Sequence, residues 1–117
     1  MAEFILQEKY KTFEIKNIGG EILKSFKIDV GNYDSLRTWA GQIAEVERLS
    51  QEAINSESGV ESLMKLEETV ISMVLGHDGW IWLWDAAKHN IFACLGVVKA
   101  LSEIVKEEIN SFQEEYV

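Results

Sequence analysis

The feature that most limits what this chain can fold into is a change in the spacing of its apolar residues at Gly31-Asn32-Tyr33-Asp34. Before that point, Phe13-Glu14-Ile15-Lys16 and Ser25-Phe26-Lys27-Ile28-Asp29-Val30 alternate apolar and polar residues. Period two places every second side chain on one face of a strand. Between these runs lies Asn17-Ile18-Gly19-Gly20-Glu21, whose Gly-Gly pair can supply the positive φ angles of a two-residue hairpin turn. After Asp34, Leu36, Trp39, Ala40, Ile43, Val46, Leu49, Ala53 and Ile54 recur at three- and four-residue steps, the period of an amphipathic helix. The chain therefore reads as α+β, mostly α, with an N-terminal β-hairpin leading into helices. Phe4-Ile5-Leu6 fits either a short extra strand or an arm. Two strands alone are marginal in water, so the hairpin must pack on the helices or pair with another chain.

Start and stop signals divide the helical part. Asn32 or Asp34 can cap a first helix that runs to about Asn55. Ser56-Glu57-Ser58-Gly59 interrupts it, and Ser58 with Glu61 has capping-box spacing for a second helix over Val60–Leu75. Val60, Leu63, Met64, Val70, Ile71 and Val74 would face its core side. Gly76 suits a helix end, Asp78 suits the N-cap of a short helix from Trp80 to about Lys88, and His89-Asn90 marks a restart. From Ile91, the residues Cys94, Leu95, Val98, Leu101, Ile104, Val105, Ile109 and Phe112 repeat at helical spacing, with Glu103, Glu107, Glu108, Glu114 and Glu115 expected on the solvent side. The result is a bundle of about four helices. A length of 117 residues with 47% hydrophobic content suits a single domain, with an arm and hairpin over 1–30 and a helical body over 31–117. Proline is absent, and no repeat or low-complexity linker suggests a second unit.

Charge narrows the function classes. Residues 1–30 balance five lysines against five acids, so all nine excess negative charges lie in residues 31–117. An acidic body repels phosphate backbones, which argues against nucleic acid as a partner. It favours solubility or a basic protein partner. The single cysteine, Cys94, cannot form an internal disulfide and is compatible with a reducing cytoplasm. The chain shows neither a secretory leader pattern nor an apolar run of the roughly 18 residues that a spanning helix needs. The expectation is a soluble cytoplasmic protein with no membrane partner.

Catalytic and ligand chemistry finds little support. His77, Asp78, Asp85, His89 and Cys94 fall within eighteen residues, but no HExxH or paired CxxC accompanies them. Asp78 as a cap and Asp85–His89 as a surface pair account for the same residues. Cys94 sits in an apolar helix face, where a thiol is inert. Gly19-Gly20 lacks the Lys-Ser/Thr that follows in a P-loop. We therefore expect no catalytic, cofactor or metal residues, and a protein that is not an enzyme.

The most unusual stretch is Trp80-Ile81-Trp82-Leu83-Trp84, with three of the four tryptophans in five residues. On a helix, Trp80 and Trp84 share a face and Trp82 points nearly opposite. The segment is then apolar all round. It can be a buried plug, or it can anchor an interface, where tryptophan is enriched. Trp80, Trp82, Trp84, Leu83 and Phe92 are the candidate partner-binding residues.

Taken together, the hairpin around a glycine turn, the Gly31-Asn32-Tyr33-Asp34 helix start, the acidic helices and the late Val74-Leu75-Gly76-His77-Asp78-Gly79-Trp80 turn resemble a known family. They are similar to the small tail assembly chaperones of long-tailed, siphovirus-like phages and prophages of Gram-positive bacteria. The resemblance spans nearly the whole chain and lies in order and pattern. Its turn has one more residue between the glycines than the family's usual Leu-Gly-x-Gly. The resemblance implies a non-enzymatic protein that binds the long, helix-rich tape-measure protein, keeps it soluble during tail assembly and is absent from the finished tail. It also implies a possible frameshift-extended form and homo-oligomers, for which the hairpin edges would be available. The alternatives are a small structural tail component or another acidic protein-interaction module. An acidic DNA mimic is disfavoured, because the glutamates follow ordinary helix solvent faces.

Overall fold

A computed structural model describes residues 2–6, 8–52 and 55–116. Two strands, β1 (Tyr10–Lys16) and β2 (Ile22–Asp29), precede four helices: α1 (Tyr33–Glu52), α2 (Glu57–Leu75), α3 (His77–Ala86) and α4 (Ile91–Tyr116). The architecture is α+β, mostly α, as expected. Ala53 and Ile54, expected to continue the apolar stripe of α1, lie outside the described residues.

The strands pair antiparallel, with Phe13 opposite Phe26 and Lys11 opposite Ile28. Near the turn the register slips between Ile15 and Lys16, because Ile15 pairs with Lys24 and Lys16 with Ile22. The connection differs from a two-residue Gly-Gly turn. The Asn17 amide donates to the Glu21 carbonyl, the Gly20 amide donates to the Asn17 carbonyl, and Gly20 alone of the two glycines takes positive φ, at 84°. One left-handed residue followed by a slipped pair matches a three-residue loop with a glycine bulge. Phe4, Ile5 and Leu6 form no strand and are exposed.

Helix boundaries follow side-chain caps. Asn32, not Asp34, caps α1, its Oδ1 accepting from the Ser35 amide at 3.0 Å. Ser56 caps α2 by accepting from the Gly59 amide at 3.1 Å, two residues before the expected Ser58. Its extended backbone, φ −133° and ψ 147°, turns the hydroxyl back over the first turn. Asn90 caps α4, accepting from the amides of Phe92 and Ala93.

Between α2 and α3 a single residue does both jobs. Gly76, at φ 85° and ψ 158°, closes α2 by donating its amide to the Ser72 carbonyl and is also the N-cap of α3. Helix α3 consequently begins at His77, and Asp78 sits in its first turn instead of capping it. There it still complements the positive end of the helix dipole.

The three long helices contact one another pairwise, and α3 lies against α2. Their inward residues form one core with the hairpin: Leu36, Trp39, Ile43 and Val46 of α1, Leu63, Val70 and Ile71 of α2, Cys94, Val98, Leu101 and Val105 of α4, and Ile28 and Val30. Burying each such aliphatic side chain contributes about 1.5–3 kcal/mol against the entropy of ordering the chain. Glu108, expected on the solvent side of α4, is instead buried beside the hairpin. Its Oε2 lies 2.8 Å from Lys9 Nζ and its Oε1 lies 3.6 Å from Lys11 Nζ. Lys11 opposes Ile28 on the inward face of the hairpin, so the two lysines bring to α4 the charge its acid requires.

Candidate interaction surface

Helix α3 presents its aromatic residues in three directions. Trp80, 6% exposed, and Leu83, 4% exposed, point into the core. Of the five candidate partner-binding residues, these two are covered and fit the buried-plug alternative. Helix α3 packs on α2, and positions three apart on it fall on one shared side. Trp84 stacks on Trp80, with ring centroids 5.3 Å apart and an interplanar angle of 22°. Trp84 also stacks on the His89 ring at 4.9 Å, which carries the aromatic column to the surface.

Trp82 leaves on the other side, as helical spacing predicts. It meets the edge of Phe26 at 6.2 Å, and Lys24 Nζ lies 5.9 Å from its ring centre. The hairpin comes this close because Gly79 has no side chain. A Cβ there would lie 3.0 Å from Phe26 Cε1 and 3.0 Å from Leu75 Cβ. Trp82 and Trp84 are therefore both half-buried. Ile81, 49% exposed, and Phe92, 55% exposed, remain as large apolar side chains open to solvent on α3 and at the start of α4. Sequence reasoning passed over Ile81, although its place between two indoles on a helix apolar all round was the available signal.

The polar groups around this cluster are arranged as surface chemistry. His89 Nε2 lies 3.3 Å from Asp85 Oδ1, one helical turn away, with both side chains exposed. Lys88 and His89 take positive φ, 56° and 58°, in the short link to α4. Among the described residues no three His, Cys, Asp or Glu side chains gather in a way that could hold a metal ion. Cys94 is buried, and desolvation, with a smaller contribution from Glu67, pushes its thiol up to about 11. That keeps it protonated at neutral pH.

A separate groove lies at the root of the hairpin, lined by Glu8, Tyr10, Asp29, Asn32, Tyr33 and Asp34. Glu8, followed by burial and Asp29, raises the Tyr10 phenol above its ordinary value. No described helix is long and apolar enough to cross a membrane.

No family model, curated protein or solved structure matches this chain.

Proposed function

We propose that this chain is a tail assembly chaperone of a long-tailed phage or prophage, which binds the helix-rich tape-measure protein and keeps it soluble while the tail is built. The observation that carries the reading is the pairing of open apolar side chains, Ile81 and Phe92, with a strongly acidic helical body. An apolar client helix can lay its stripe along such side chains, as in helix-in-groove recognition. Net negative charge keeps the complex soluble and draws in a basic client. The order of elements, a hairpin followed by acidic helices with a glycine-bracketed turn before the last, supports the same reading through its resemblance to that family. Trp82 and Trp84, half-buried, would line the contact, while Trp80 and Leu83 support it from the core. The hairpin leaves one edge of each strand unpaired among the described residues, which suits self-association.

Co-expression with the tape-measure protein encoded nearby, followed by affinity capture of this chain, tests the proposal. The client should be retained, and Ile81→Ser with Phe92→Ser should reduce retention at least several-fold without lowering the melting temperature appreciably. Absence of the tape-measure protein from the captured material would sink the reading.

A further inference from the structure

The centre of the bundle contains an acid that the chaperone reading does not use. Glu67 of α2 is 0% exposed, on the same inward face as Leu63, Val70 and Ile71. Neither carboxyl oxygen has a hydrogen-bond partner among the described residues. Glu108 differs in its charge surroundings: its Oε2 also lacks a well-directed hydrogen bond, but two lysine ammonium groups lie 2.8 and 3.6 Å from its oxygens. A carboxylate withdrawn from water without a partner is strongly disfavoured, and the group keeps its proton instead.

We propose that Glu67 couples proton release to opening of the helical bundle: the closed bundle holds a neutral carboxylic acid at this position, and the opened chain holds a carboxylate. The groups that face it are consistent with this. From α4, Cys94 is close enough to be influenced by it and remains a neutral thiol. Among the described residues no side chain hydrogen-bonds to either carboxyl oxygen, and burial raises the pKa of Glu67 to about 8 against an ordinary 4.5. A folded-state pKa above the unfolded one means that the closed form binds more protons between those values. The stability that the neutral acid permits is fully present below about pH 4.5, declines as pH rises, and is lost above about pH 8. One proton taken up on closing changes the folding constant by up to about tenfold per pH unit inside that window. A rise in pH through neutrality thus lowers the stability of the closed bundle relative to the opened chain. This inference stands independently of the chaperone reading.

Urea unfolding of the full chain at several pH values between 5 and 8, compared with Glu67→Leu and Glu67→Gln, tests it. The wild-type folding constant should fall relative to that of Glu67→Leu by up to about tenfold per pH unit, with Glu67→Leu the more stable at pH 8. Parallel pH profiles for the wild type and Glu67→Leu would overturn the proposal. Should either variant fail to fold, the carboxyl carbon shift of Glu67 in the wild-type protein decides the matter. A titration midpoint near 8 supports the coupling, and one near 4.5 overturns it.

Discussion

Two glutamates on inward helix faces show how differently one residue type can be accommodated. Glu108 is held by Lys9 and Lys11, whose own side chains remain about 40% exposed. The asymmetry gives a prediction. Replacing both lysines with methionine keeps their stems but leaves a buried carboxylate unpaired, and should cost about 1–3 kcal/mol in urea unfolding, less than a fully buried pair because the lysines are partly solvated. Glu108→Gln should cost less, because the lysines left behind reach water. Equal losses would mean that the two sides of the pair are equally desolvated. Neither acid's role was legible in the sequence. On α4, Glu108 follows Val105 by three residues and so can fall within the stripe, but its lysines come from the opposite end of the chain. Glu67 is four residues after Leu63 and four before Ile71, a break in an apolar stripe that a local reading passes over as a polar neighbour.

At the scale of elements, the interlock between hairpin and α3 depends on one missing side chain. Gly79→Ala would set a methyl group 3.0 Å from both Phe26 and Leu75. The ring must move or the strand must lift, at a cost of about 1–3 kcal/mol. Adding Phe26→Ala should recover part of that cost, which a double-mutant cycle would register as coupling between the two positions. Strictly additive losses would show that the methyl group is accommodated without displacing the ring. The elements themselves were largely legible: period two located the hairpin, and three- and four-residue steps located the long helices with most of their core positions. Boundaries were less so. Ser58 with Glu61 satisfied a capping pattern, but backbone geometry placed the cap at Ser56, and two serines so close together cannot be ranked by spacing. The aromatic segment was legible as a helix apolar all round. The partial covering of Trp82 depended on Phe26 and Lys24, partners distant in sequence.

The molecule as a whole is elongated, 62 × 32 × 22 Å, with a radius of gyration of 16.0 Å. A compact chain of this length would have about 13 Å. Scattering from the monomer in solution should therefore give a radius clearly above about 13 Å, and a value at that figure would mean that the extended parts fold back onto the body. Charge is divided along the chain: the neutral first thirty residues provide the hairpin, and the helices carry the surplus of acid. Between α2 and α3 this molecule has no loop at all. Gly76 alone joins them, with nothing within 4 Å of where its Cβ would stand, so only its torsions restrict the position. The whole aromatic helix thus leaves α2 through one pair of backbone angles that an L side chain rarely adopts, so a substitution at position 76 would strain the entry of three indoles together without altering any residue that they touch.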